Sequence, residues 1–251
     1  MQQSKPIALV TGSSRGIGAA TARKLASEGY AVCINYLKHE QAAFDLLEEL
    51  KSHTPHVIAV QADVSREDDV LHLFNKIDDQ LGQITALINN AGILLPQTRV
   101  ENMDAARINK ILTTNVTGYF LCCREAVKRM STTHGGQGGS IVNVSSVAAR
   151  LGSAGEYVDY AASKGAIDTL TIGLALEVAD EGIRVNAVRP GFIYTDMHAD
   201  GGEPNRVDRI SPSIPMKRGG SPEEVAQAIS WLLSENASYV TGSFIELGGG
   251  K

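Results

Sequence analysis

The chain is short of the features that mark several protein classes. Three cysteines in 251 residues are too few for a disulfide framework. Cys122 beside Cys123, with Cys33 far upstream, also match no metal-ligand spacing, so no metal is expected and all three read as reduced thiols in a core. A run of about 18 uncharged apolar residues is missing, so no membrane-spanning helix is expected. Basic residues are not in excess: Lys+Arg 23 against Asp+Glu 28 gives −5, with both signs scattered. That is poor footing for nucleic-acid binding. Met1 to Pro6 is polar and lacks the apolar core of a signal peptide, which makes the cytoplasm the expected address.

Apolar residues and glycine are what the chain does have. An apolar content of 43% can fill a core, which excludes a disordered chain. The length is close to the roughly 200–250 residues that α/β folds fill as one unit. Glycine, at 25 residues, is one in ten, and its positions are the best lead.

Strand-like and helix-like patterns alternate from the start. Ile7 to Val10 is a short, fully apolar run, as a buried parallel strand should be. Ile17, Ala20, Ala22, Leu25 and Ala26 then follow helical spacing up to Glu28-Gly29. Further strands are expected at Ala31 to Tyr36, His56 to Val60, Ala86 to Ile88, Ser140 to Val144, Arg184 to Val188 and Ser243 to Leu247. The helices between them include Gln41 to Lys51, a long one over about Ala105 to Met130, and another over about Tyr157 to Glu181. Ser65-Arg66-Glu67-Asp68 and Ser221-Pro222-Glu223-Glu224 both fit N-terminal capping boxes. The expected architecture is α/β: a single-domain, Rossmann-type, doubly wound parallel sheet over residues 1–251, with helices on both faces. Gly191 to Gly220 is the one long irregular region. Because it follows the carboxyl end of a strand, it is the candidate substrate lid. Phe192, Tyr194, Met197 and His198 line its entrance, and Gly201-Gly202 suggests a hinge. Arg206 and Arg209 read as solvated charges.

Three motifs carry chemistry. Thr11-Gly12-Ser13-Ser14-Arg15-Gly16-Ile17-Gly18 lies between the first strand and first helix. Glycines there allow a tight turn and let a helix N-terminus approach a pyrophosphate. The loop lacks the Lys and Ser/Thr of a P-loop, which disfavours ATPase chemistry. At the end of the second strand, Ile34-Asn35-Tyr36-Leu37-Lys38-His39 offers no acid to take a ribose 2′-OH, while Arg15 and Lys38 are available to a 2′-phosphate. NADP(H) is therefore expected over NAD(H), although Asn35 leaves a bond to a bare 2′-OH open. Finally, Tyr160-Ala161-Ala162-Ser163-Lys164 places a phenol and an ammonium on one helix face. Such a lysine favours the phenolate, so the tyrosine can exchange a proton with an alcohol or carbonyl oxygen. Tyr157 has Ala161 at the corresponding position and is a decoy.

Together these segments resemble the short-chain dehydrogenase/reductase family over essentially the whole chain. The likeness rests on Thr11–Gly18, Asp63-Val64, Asn89-Asn90-Ala91-Gly92, Thr114-Asn115-Val116, Val144-Ser145-Ser146, Tyr160–Lys164 and Arg189-Pro190-Gly191, all in family order. The resemblance implies a tetrad of Asn115, Ser146, Tyr160 and Lys164. In it Tyr160 is the acid/base, Lys164 lowers its pKa and holds the nicotinamide ribose, and Ser146 bonds the substrate oxygen. Asn115 positions a water leading to Lys164. Ser145 is the bland neighbour, since members with paired serines generally use the second. For the cofactor it implies Gly12, Ser14, Arg15, Gly16, Ile17 and Gly18 around the phosphates, and Asn35 and Tyr36 near the adenosine ribose. Asp63 and Val64 would flank the adenine, with Asn89, Ala91 and Gly92 along the ribose–pyrophosphate. Pro190, Gly191, Ile193 and Thr195 would meet the nicotinamide, with Tyr160 and Lys164 serving both sets. Within the family the chain is most similar to members described as 3-oxoacyl-carrier-protein reductases or glucose 1-dehydrogenases. The expected activity is NADP(H)-dependent interconversion of a small-molecule carbonyl and alcohol. An NAD-dependent sugar or alcohol dehydrogenase is the alternative, and a non-catalytic NADP sensor a remote one. A homotetramer is implied too, with Tyr239-Val240-Thr241-Gly242 and the last strand near a subunit contact.

Overall fold

In the computed structural model, residues 5–251 are described. Seven strands form one parallel sheet: β1 (Ile7–Val10), β2 (Ala31–Tyr36), β3 (Val57–Gln61), β4 (Ala86–Asn89), β5 (Gly139–Val144), β6 (Ile183–Pro190) and β7 (Phe244–Leu247). Their order is β3-β2-β1-β4-β5-β6-β7. The direction of winding reverses between β1 and β4, where Ala8 pairs with Ala86 and Val10 with Ile88. A crevice opens there, at the carboxyl ends of the strands, as this topology requires.

Ten helices are labelled in chain order: α1 (Gly16–Ser27), α2 (Glu40–Lys51), α3 (Glu67–Gln80), α4 (Ala105–Leu112), α5 (Gly118–Met130), α6 (Ala148–Leu151), α7 (Val158–Val178), α8 (Met197–Asp200), α9 (Arg206–Ile210) and α10 (Pro222–Leu233). Successive strand residues point to opposite faces, and this alternation divides the core in two. Ala8, Val10, Val32 and Ile34 pack with Leu25 of α1, Leu46 and Leu50 of α2, and Ile229 and Leu232 of α10. On the other face, Leu9 and Cys33 pack with Leu73 and Phe74 of α3, Tyr119 and Ala126 of α5, and Ile167 of α7. Both faces are buried, which is why the strands read as continuous apolar runs. Each fully buried Leu, Ile or Phe contributes roughly 1.5–3 kcal/mol.

The sequence pattern needs correction or refinement at four points. Ser65 does not cap α3: its N–H and hydroxyl both donate to Asp63 Oδ1, at 3.0 and 2.6 Å, so a local turn outcompetes the capping box. Ser221 does form its box with Glu224. The helix expected over 105–130 is continuous, but it passes through a π-turn at Thr113–Thr117 between α4 and α5, a distortion that hydrophobic spacing does not reveal. The lid region is not irregular throughout, since it contains α8 and α9. Arg206 is only 7% exposed and is not a solvated charge. It pairs with Glu203 at 3.1 Å and with Glu156, and its guanidinium lies 4.8 Å from the Tyr157 ring centre.

All three thiols are buried and free. Burial pushes the Cys123 thiol up to about 12 and the other two higher still, so none is reactive near neutral pH. Among the described residues no helix is long and apolar enough to cross a membrane.

Candidate active site

The glycine loop turns because Gly12 adopts a positive φ of 59°, and its own hydrogen bonds hold it there. A Cβ on Gly12 would lie 2.9 Å from Ala91 Cα, so only glycine fits. Gly12 N–H donates to Asn35 Oδ1 (3.0 Å), while Asn35 Nδ2 donates to Ala62 O (3.0 Å). Asn90 Nδ2 donates to Thr11 O (2.8 Å), and Ala91 N–H to Thr11 Oγ1 (2.9 Å). The loop delivers the N-terminus of α1, with Ser14, Arg15 and Ile17 half-buried around it, and no side chain caps it. An uncapped, glycine-rich helix N-terminus at the switch point suits a dinucleotide pyrophosphate. Thr195 closes over this cradle: a Cβ on Gly16 would come within 3.3 Å of its methyl.

Several expected cofactor contacts have other work. Asn35 is 2% exposed, and both ends of its amide are spent on the loop and on Ala62. The bond to a bare 2′-OH that Asn35 left open would therefore need its amide to give up one of these partners. Tyr36 is also buried, with its hydroxyl donating to Glu40 at 3.3 Å. Asn89 lies beneath the cradle, donating to Asn143 Oδ1 at 3.0 Å, and the loop-holding amide is that of its neighbour Asn90. The Asp63 carboxylate is engaged by Ser65. Val64 is buried against Gly118. Pro190 O accepts from Val147 N–H, and Gly191 N–H donates to Leu247 O, each at 3.0 Å. Ile193 pairs with Gly220 and accepts from His198 Nε2 at 3.0 Å.

The second cluster forms where α7 passes the carboxyl ends of β4 and β5. Lys164 is 3% exposed; its Nζ donates to Val144 O (2.7 Å) and Tyr119 Oη (3.3 Å) and lies 5.6 Å from the Tyr160 ring centre. Burial lowers its pKa to about 7, against the pull of Asp168. Burial also pushes the Tyr160 phenol up to about 12, with the Ser146 hydroxyl acting the other way. The lowered phenol expected from Lys164 is thus not what this arrangement produces, because burial of the phenol outweighs what favours its ionised form. Ser146 Oγ donates to Pro190 O at 3.3 Å and accepts from Ala148 N–H at 3.1 Å. Asn115, fully buried on the π-turn, clamps Ile93 twice: Oδ1 accepts from Ile93 N–H (2.8 Å) and Nδ2 donates to Ile93 O (3.0 Å). Gly92 lies between, with the position of a Cβ 3.5 Å from Asn115 Oδ1 and 3.8 Å from Lys164 Nζ.

The structure therefore gathers Asn115, Ser146, Tyr160 and Lys164 at one end of the sheet, beside the glycine loop. Tyr119 and Thr11 were not singled out as site residues from the sequence. Tyr119 has no motif around it, and only its position four residues after Asn115 on the helical stretch hinted at it. Tyr157, the decoy, anchors the lid instead, its hydroxyl donating to Gly201 O at 3.1 Å.

A doubly wound parallel sheet with a glycine-rich turn at its switch point has the Rossmann-type architecture. Comparison with known proteins makes this specific. A family model described as enoyl-(acyl carrier protein) reductase matches residues 12–251. The chain is 65% identical to the uncharacterized oxidoreductase YgfF of Escherichia coli (strain K12), over 98% of this chain and 99% of that one. It is 37% identical to glucose 1-dehydrogenase 2 of Bacillus subtilis (strain 168), over 97% and 93%. The 3-oxoacyl-[acyl-carrier-protein] reductase FabG of Staphylococcus aureus (strain N315) is 36% identical over 97% and 96%. Among solved structures, a dehydrogenase/reductase from Sinorhizobium meliloti 1021 superposes with a TM-score of 0.90 at 29% identity, covering 99% of this chain and 95% of that chain. A mutant short-chain dehydrogenase/reductase of Serratia marcescens gives 0.89 at 31%, covering 98% and 97%. The chain belongs to the short-chain dehydrogenase/reductase family, and it is an oxidoreductase.

Proposed function

We propose that this protein interconverts a carbonyl and an alcohol using NADP(H), with Tyr160 exchanging the proton on the substrate oxygen. The observation that carries this reading is the convergence of Ser146, Tyr160 and Lys164 beside the uncapped N-terminus of α1. When bound, the nicotinamide supplies or accepts the hydride. Ser14, Arg15, Gly16 and Ile17 would hold its phosphates, and Lys164 its ribose. The Tyr160 phenol, protonated at neutral pH, is an acid ready to donate to a carbonyl oxygen. Ser146 would turn from Pro190 O to that same oxygen, stabilising charge as it develops.

NADP(H) is favoured by what surrounds the end of β2. Leu37, Lys38 and His39 carry no carboxylate there and the nearest acid, Glu40, accepts from Tyr36, while Arg15 is half-exposed and the amide of Asn35 is taken. The lid cation Arg206 is already balanced by Glu156 and Glu203, so the pocket suits a neutral substrate better than an anionic one. We further propose that residues 1–251 act as one domain, in the cytoplasm, as a homotetramer. Phe120 on α5 and Ile172 and Leu176 on α7 are exposed apolar residues that support association.

The test follows NADPH absorbance against β-ketoacyl esters, diketones, sugars and steroids, in wild type and Tyr160→Phe. The variant is expected to lose about 10²-fold or more in kcat while still binding NADP+. An unchanged kcat removes Tyr160 from the proposed role.

A further inference from the structure

Ser145 and Asp168 lie outside the cluster just described, yet each is one step from it. Ser145 precedes Ser146, and Asp168 sits one helical turn beyond Lys164 on α7. The Ser145 hydroxyl donates to Asp168 Oδ1 at 2.6 Å and lies 3.2 Å from the Lys164 carbonyl. Ser145 is 2% exposed and the Asp168 side chain 15%. The other carboxylate oxygen, Oδ2, accepts from Arg189 Nε (3.1 Å) and lies 2.9 Å from Nη2 of the same guanidinium. Arg189 is itself held: its guanidinium stacks 3.9 Å from the Phe244 ring centre, and Nη1 reaches Glu246 Oε1 at 3.2 Å. One carboxylate thus joins α7 to the carboxyl ends of β5 and β6, and through Arg189 to β7.

We infer that Asp168 is a further positioning residue for the proposed reaction: with Ser145 it sets the distance between the Ser146 and Tyr160–Lys164 arms, and its charge supports the Lys164 ammonium. The inference rests on the reading of Ser146, Tyr160 and Lys164 given above. Two physical effects are combined in it. The short hydrogen bond is mechanical, tying the residue before Ser146 to the helix that carries Tyr160 and Lys164. Electrostatics supply the second. Lys164 Nζ is surrounded by the neutral phenols of Tyr119 and Tyr160 and the Val144 carbonyl. Arg189, the nearest cation on β6, reaches this region only through Asp168, whose charge it shares. Asp168, one turn beyond Lys164 on α7, carries the charge that opposes the loss of the Lys164 proton, while the hydroxyl of Ser145 is consumed and unavailable to substrate. That also explains why the second serine of the pair is the one left to face the pocket.

Three variants of the intact protein separate the effects. Asp168→Asn keeps the shape and removes the charge, and should lower kcat about 10-fold and move the alkaline limb of the kcat–pH profile for carbonyl reduction about one unit toward acid. Asp168→Glu should return the limb toward its wild-type position. Ser145→Ala cuts the hydrogen bond with the charge intact, so kcat should fall without a shift of the limb. NADP+ binding by fluorescence and the unfolding midpoint, measured alongside, report folding. An unmoved limb in Asp168→Asn overturns the inference, as does a limb that moves equally in all three variants. Tyr160→Phe run in parallel keeps the two readings apart: if that variant retains full kcat, the site assignment has failed, and if it is inactive while Asp168→Asn behaves as wild type, only the role of Asp168 has.

Discussion

Arg15 at the N-terminus of α1 and Asp200 at the end of α8 form an ion pair that fastens the lid to the phosphate loop. Asp196 stands behind it, 3.7 Å from the same guanidinium. Arg15, which on the proposed reading would meet a 2′-phosphate, is therefore already engaged by a carboxylate of α8. Both partners are substantially exposed, so water weakens the pair and a doubly charged phosphate can replace it.

A coenzyme preference follows. Arg15→Ala removes one charge-assisted contact, worth roughly 1.5–3 kcal/mol, which should raise KM for NADPH about 10-fold or more. KM for NADH, which lacks the 2′-phosphate, should rise less. Initial rates with both coenzymes decide the matter, and tighter use of NADH than NADPH by the wild type would contradict the assignment of NADP(H).

Lys164 gives a pH dependence of stability whose sign is unusual. Its folded pKa is about 7 against an ordinary value of 10.5, so between these limits the unfolded chain binds the extra proton and the folded one does not. Stability contributed at this position rises with pH from about 7 to 10.5, and the cost of burying the lysine is greatest below 7. Lys164→Met should accordingly be more stable than wild type at pH 6, with the difference shrinking by pH 9.5. Denaturant unfolding at the two pH values, without coenzyme, measures this. A difference that grows with pH would show that Lys164 is not desolvated in the folded state.

Much of this was legible from residue order alone. The seven strands, the glycine turn and the Tyr160–Lys164 pair are local patterns, and local patterns survive in one dimension. Side-chain destinations do not. Asn35 looked free to meet a ribose because nothing nearby in sequence claims its amide, whereas Gly12 and Ala62, 23 and 27 residues away, take both ends. Arg206 looked solvated for the same reason, with its partner Glu156 lying 50 residues upstream. The π-turn at Asn115 hid inside a well-formed helical pattern, because one extra residue per turn changes the backbone and leaves composition untouched.

The lid is clamped on its outer side as well. Glu203 accepts from Arg209, Gln97 and Arg206, and these bonds, Arg209's foremost, hold its carboxyl down at about 2. Replacing Arg206 with methionine removes the guanidinium from the Tyr157 ring and leaves Arg209 as the remaining arginine beside Glu156 and Glu203. Substrate KM should rise about 10-fold, corresponding to one lost charged hydrogen bond, while kcat at saturation changes less. Proteolysis within 195–210 should also accelerate, since the open lid gains population. Equal losses in kcat and KM with no change in cleavage would show that the clamp does not govern closure.

The exposed apolar residues of the helical layer bear on assembly. Leu176 is 80% exposed and Ile172 47%, one turn apart on α7, with Phe120 of the adjoining α5 at 52%. Leaving three large apolar side chains in water on neighbouring helices is costly for a monomer but productive if a second copy covers them. A charge at the centre should then be excluded from the contact, since burying it unpaired costs several kcal/mol. Leu176→Asp is expected to shift the species seen by light scattering from tetramer toward dimer or monomer at micromolar concentration, with the circular dichroism spectrum retained. Because α7 also carries Tyr160 and Lys164, dissociation should lower kcat as well. A tetramer that survives Leu176→Asp and Ile172→Asp together would place the subunit contact elsewhere, and a stable wild-type monomer would remove the expectation of association.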